Sequence, residues 1–275
     1  MSPVEPIRVP SIHIPSPLGT PVTIQPGVFP AHADIWMSLP TPVEGVPPGL
    51  EYLTMVDEIM IHRISGVLDL FTGFQTKNKY AVSNANGVQM YYVFEESKNW
   101  QRLVCGPYRS FTMHFVDGFG ALNILFFKEV LRIRRPFACC ACFGLCACLP
   151  GCGPLCTIEC PPGHTIGTVE QRMALCSSSF IVRDHEDDVI LRIDGQLCCL
   201  NCGCQEKEFP IETLEGERIG CIKRKSGKVG EDAKPMETFR LTFPINFDAR
   251  LKAILIGAAF LIGLLELEAT CTKRN

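Results

Sequence analysis

One run near the C-terminus constrains this fold more than any other: Ala253-Ile-Leu-Ile-Gly-Ala-Ala-Phe-Leu-Ile-Gly-Leu-Leu265, thirteen residues without a charge. Asp248, Arg250 and Lys252 precede it, and Glu266 and Glu268 close it. A helix that is apolar on every face is either a membrane span or the buried centre of a protein. The run covers roughly 20 Å, whereas a bilayer core of about 30 Å takes about twenty apolar residues. Extending it either way buries Lys252 or Glu266, at a cost of a few kcal/mol each. Length therefore favours a core helix, over about 248–268, rather than a transmembrane one. Such a helix needs a wall on every side.

The chain from Gly49 onward supplies short β-branched and aromatic runs separated by turn signals. Tyr80–Val82 and Val88–Val93 flank Asn86-Gly87, the strongest short hairpin signal. Phe111–Val116 and Leu122–Phe127 flank Asp117-Gly118. Phe180–Val182 and Val189–Ile193 flank the acidic turn Asp184–Asp188, and Ile211–Leu214 and Arg218–Ile222 flank Glu215-Gly216. Strands at this spacing predict an antiparallel sandwich or barrel. Apart from the C-terminal run, only a stretch near Leu53–Glu58 reads as helical. A closed barrel hides its edges and can hold one apolar helix in its lumen.

A hydrophobic content of 47% and a charged content of 20% fit a globular domain with a large core, placed at 49–271. A net charge of −3 gives no electrostatic basis for general nucleic-acid binding. Residues 1–48 hold 12 of the 21 prolines and read as a disordered tail, whose PxxP spacings could also feed an SH3 or WW partner. The N-terminus lacks the pattern of a secretory signal, so the expectation is a reducing compartment. There the 16 cysteines point away from a disulfide framework and toward metal binding or acylation.

Several segments together resemble the phospholipid scramblases: Pro47-Pro-Gly-Leu-Glu-Tyr-Leu53, Thr72-Gly-Phe-Gln-Thr-Lys-Asn-Lys-Tyr80, Cys105-Gly-Pro-Tyr-Arg-Ser-Phe-Thr112, Arg135-Pro136 before a cysteine cluster, Pro161-Pro-Gly163, and Lys252–Ile262. The resemblance runs in one register from about Pro47 to Glu268. It implies a tubby-like fold, a closed antiparallel barrel of twelve strands around a central hydrophobic C-terminal helix, in agreement with the reading above. It also implies calcium-activated, ATP-independent movement of phospholipids between leaflets.

Three candidate sites follow. Cys139, Cys140, Cys142, Cys146 and Cys148, continued by Cys152, Cys156 and Cys160, match the family's palmitoylated run in position. Two or more acyl chains anchor a protein stably where one does not. Zinc ligation through Cys139-x-x-Cys142 and plain structural cysteines stay open, and Cys198, Cys199, Cys202 and Cys204 read as core. The family's calcium segment aligns with Glu237, Thr238, Asn246 and Asp248, but Pro235 and Arg240 stand where an acid and a glycine are expected. The other reading is a strand running into the helix, with Asn246 or Asp248 as its N-cap. Lys223, Arg224, Lys225 and Lys228 occupy the place of the family's nuclear import segment and could meet importin or anionic headgroups, or form a solvated loop.

No paired carboxylates, Ser/His/Asp set or phosphate-binding glycine loop stands out, so the sequence predicts no enzyme. The expectation is scramblase-like lipid transport at the cytoplasmic face of the plasma membrane, held there by palmitate. The alternatives are an acylated adaptor for lipid or protein, and a regulator that enters the nucleus when not acylated.

Overall fold

In a computed structural model of the chain, the described residues are 36–64 without 39, 78–101 without 99, 109–117, 128–137, 153–173, 178–195, 206–227 and 236–272. Twelve strands close into an antiparallel barrel in which each strand pairs with its neighbours in sequence and β1 pairs with β12. They are β1 Glu58–Ile64, β2 Lys79–Asn84, β3 Gln89–Glu96, β4 Phe111–Asp117, β5 Lys128–Arg135, β6 Leu155–Glu159, β7 Thr165–Met173, β8 Ser178–Arg183, β9 Val189–Asp194, β10 Glu206–Glu212, β11 Arg218–Gly227 and β12 Met236–Thr242. Helix α1, Ala249–Thr272, follows the last strand.

The alternation of side chains along a strand sets what fills the barrel. Ile59 and Ile61, Tyr91 and Val93, Met113 and Phe115, Leu131 and Ile133, and Phe239 and Leu241 are all buried. Every residue from Lys252 to Leu265 is buried too, so the apolar run is the centre of the barrel. Small residues let the wall approach: a Cβ on Gly257 would lie 2.6 Å from Ile158 Cγ1, and one on Gly263 would lie 2.7 Å from Phe239 Cζ. Phe260 meets Tyr80 and Phe115 edge-on, at 5.1 and 5.5 Å between ring centroids. Among the described residues no helix is long and apolar enough to cross a membrane.

The helix starts on a cap. Asp248 Oδ1 accepts the Arg250 N–H at 2.7 Å and the Asp248 carbonyl accepts that of Lys252 at 3.0 Å, satisfying donors that the first turn leaves open. Lys252, which looked too costly to bury, lies inside. Its Nζ donates to the carbonyls of Leu53, Val56 and Ile245 at 2.9, 2.8 and 2.7 Å and sits 5.1 Å from the centroid of Phe243. Three donors meet three acceptors, which answers the burial cost.

Other sequence expectations shift at the edges. The short helical stretch is a 3-10 turn over Glu51–Met55, and Glu58 already begins β1. The Leu122–Phe127 strand lies outside the described residues. Residues 36–48 are not all tail: Met37 N–H donates to Gln89 O at 2.8 Å and Trp36 packs edge-on against Tyr92 at 5.0 Å. An aromatic ring with a surface to cover holds this strap against β3 despite the prolines around it. The barrel belongs to a compact unit of residues 34–275.

Candidate functional site

The up-and-down order sends alternate connections to opposite rims of the barrel. One rim carries the turns after β2, β4, β6, β8 and β10 together with the start of α1. The other carries the connections after β1, β3, β5, β7, β9 and β11. At this second rim an open groove of about 630 Å³ is lined by Glu96, Ser97, Lys98, Ser110, Thr112 and Arg134, among others. Hydroxyls and cations of this kind are suited to phosphate oxygens. Glu159, also at the groove, accepts from Arg134 Nη1 at 3.3 Å and from the Gly163 N–H at 2.9 Å.

Beneath the groove lies a buried ion pair. Arg109 Nε and Nη2 reach Glu95 Oε1 and Oε2 at 3.0 and 3.2 Å, and both side chains are almost fully buried. Ser97 Oγ donates to Glu95 Oε1 at 2.7 Å, Asn78 Nδ2 donates to Oε2 at 2.5 Å, and Arg63 Nη2 donates to Asn78 Oδ1 at 2.5 Å. Burial pushes the Glu95 carboxyl up, but hydrogen bonds and charge from Arg109, with Asn78 and Ser97, outweigh it and hold the group below its ordinary value. The network fixes the ends of β2 and β3 and the entry to β4. Pattern reading missed it because an isolated Glu95 in a strand looks like a solvated charge. Arg109 lies within one of the segments that carry the family resemblance.

The predicted sites are placed as follows. Cys139, Cys140, Cys142, Cys146, Cys148 and Cys152, and the group Cys198–Cys204, lie outside the described residues. Cys156 and Cys160 leave the acylation run: both are core, with Sγ donating to Gly257 O at 3.8 Å and to Val130 O at 3.2 Å respectively. Burial pushes both thiols up to about 12, so neither offers a thiolate at neutral pH.

The basic segment is not a loop over its first part. Lys223, Arg224 and Lys225 belong to β11, in register with Arg240, Phe239 and Thr238 of β12, and Lys223 Nζ lies 3.4 Å from Glu208 Oε2. A partner would meet side chains on a sheet rather than a free peptide. Lys228 lies outside the described residues.

Two of the four calcium donors, Thr238 and Asp248, lie apart. Thr238 Oγ1 lies 3.2 Å from His62 Nδ1 on β1, while Asp248 caps α1 beyond the far end of β12. Thr238 to Thr242 alone spans roughly 13 Å of strand, whereas two oxygens on one calcium ion lie no more than about 5 Å apart. Asn246 is exposed in the turn before the helix, and Glu237 sits in β12 beside Thr238. Among the described residues no group of three His, Cys, Asp or Glu could hold a metal ion.

Comparison with known proteins decides the family. The Scramblase family model matches residues 37–269. This chain belongs to the scramblase family. It is 34% identical to phospholipid scramblase 2 of Bos taurus, over 92% of this chain and 84% of that protein. It is also 34% identical to human phospholipid scramblase 1, over 95% of this chain and 81% of that one. Human phospholipid scramblase family member 5 is 33% identical over 82% of this chain. No solved structure matches.

Proposed function

We propose that this scramblase-family chain acts on phospholipids at a membrane surface, moving them between leaflets in both directions without ATP. The match to the Scramblase model across nearly the whole barrel carries the reading. The groove supports it, since Lys98, Arg134 and the hydroxyls of Ser97, Ser110 and Thr112 form a polar recess of headgroup size.

The barrel wall limits how this can work. Arg132 and Arg134 on β5, Glu208 on β10, Lys223 on β11 and Arg240 on β12 are partly or fully exposed, while the lumen is apolar. A barrel that spans a bilayer has the reverse arrangement, with an apolar band outside. With α1 enclosed as well, the domain reads as peripheral, held at the cytoplasmic face of the plasma membrane by palmitate on Cys139, Cys140, Cys142, Cys146 and Cys148. Transport would then proceed by perturbing a leaflet rather than by lining a pore. The same enclosure favours a second reading, an acylated lipid-binding adaptor without transport. The proposed activity is independent of calcium, a reading supported by the distance along the chain between Thr238 on β12 and Asp248 at the start of α1.

The deciding experiment reconstitutes the full chain in vesicles with a fluorescent phospholipid in both leaflets and bleaches the outer one with dithionite. Loss of signal well beyond the outer leaflet's half, with and without calcium, is the expected result. Loss of the outer half alone leaves the adaptor.

A further inference from the structure

We propose that the rim bearing the groove is the membrane-docking face of the protein, and that Trp100 and Phe137 insert into the headgroup layer of an anionic phospholipid surface. The proposal rests on the lipid-surface reading above but not on transport.

The first observation is an aromatic pair in the wrong place for a core. Trp100 is 54% exposed and Phe137 is 42% exposed. They pack edge-on at 6.1 Å between centroids, one following β3 and the other following β5. Two large rings held together at a rim remain exposed to water at a cost, whereas Trp and other amphipathic rings are favoured at the headgroup level of a membrane. Exposed Lys98 and Arg134 line the groove on this rim, together with exposed Glu96 and with Glu159, which pairs with Arg134, and such cations suit an apolar wedge that meets anionic lipid.

The second observation is the distribution of charge between the rims. Among the described residues, the connections leaving this rim carry exposed Lys98 and no Asp or Glu, while Arg109 is buried in its pair with Glu95. On the opposite rim the turns after β8 and β10 carry Asp184, Glu186, Asp187, Asp188, Glu215 and Glu217, and the start of α1 adds Asp248 and Arg250. An anionic surface therefore repels the acidic end of the barrel more than the groove rim, which orients the molecule before contact.

The third is the chain itself. The candidate acylation run begins in the sequence soon after β5 and Phe137. Cys139 is two residues beyond Phe137 in the sequence. An acyl chain there would enter the leaflet beside the ring.

The test uses full-length, unacylated protein carrying Trp36→Phe, which leaves Trp100 as the sole tryptophan of the two. A terminal polyhistidine tag tethers it to nickel-chelating vesicles of phosphatidylcholine and phosphatidylserine, replacing the acyl anchor so that weak affinity cannot hide contact. Trp100 emission is expected to shift to the blue and to fall roughly by half when the lipid acyl chains are brominated. A reporter at the opposite rim, Ile245→Trp combined with Trp36→Phe and Trp100→Phe, is expected to stay unquenched. Replacing phosphatidylserine by phosphatidylcholine should weaken the Trp100 signal. If Trp100 keeps its solution spectrum on tethered vesicles, or if the Ile245 reporter is the one quenched, the proposal is overturned. Should Trp36→Phe disturb folding, the difference between wild type and Trp100→Phe reports the same quantity. Quenching of Trp100 without lipid flip in the dithionite assay retains the docking face and removes transport; flip without quenching does the reverse.

Discussion

At the residue scale, stability at the groove rim depends on one buried pair. Glu95 titrates below its ordinary value near 4.5 in the folded state. A depressed carboxyl contributes stability that is fully present above its unfolded value and is lost as pH falls through the folded one. Thermal melts of the wild type should therefore fall off steeply below about pH 4.5. Glu95→Gln leaves the Arg109 guanidinium buried without a counter-charge, and should cost about 3–5 kcal/mol at neutral pH. The same substitution should flatten the acid-side slope in urea titrations at stepped pH; an unchanged slope would assign acid sensitivity to other carboxylates. Pattern reading could not have found the pair, since Asn78, Glu95 and Arg109 meet only once three strand ends close on one another. The same limit explains Cys156 and Cys160. They belong to the cysteine run by spacing, but the strand phase of β6 and the turn after it place their thiols inside.

At the scale of elements, the hairpins with strong turn chemistry were legible and the others were not. Gly87 and Gly216 both have positive φ, 79° and 84°, and Asn84 Oδ1 accepts the Asn86 and Val88 N–H groups at 3.0 and 2.9 Å. Those signals are local. Strand β5 has no glycine turn beside Lys128–Arg135, whereas Pro161-Pro-Gly163, with Gly163 at φ 97°, does mark the turn before β7. The helix was legible from length alone, and its environment is testable. Gly257→Leu drives a side chain into Ile158, where added volume costs typically about 1–3 kcal/mol or more. In a lipid-facing helix the same change would be harmless. The expected outcome is loss of soluble, cooperatively melting protein by circular dichroism. A variant as soluble and as stable as the wild type would remove the helix from the lumen.

At the scale of the whole molecule, anchoring and folding are assigned to different cysteines. Replacing Cys139, Cys140, Cys142, Cys146 and Cys148 by Ser should release the protein from membranes in cell fractionation while leaving its melting temperature unchanged. Continued retention would place the anchor elsewhere. The closure of the barrel has a further consequence, for synthesis. Each strand finds one neighbour next to it in sequence, but the last seam joins β1 to β12, and Met60 and Arg240 in that seam are 180 residues apart. The lumen is filled by α1, which is made after every strand. Hairpins can form as the chain emerges, yet none can bury its inner face until the final segment arrives, so the long-range seam and the core form together and late. A ribosome translating this message carries an open, sticky sheet for most of elongation, and a premature stop anywhere before Ala249 yields a chain with no native core to complete.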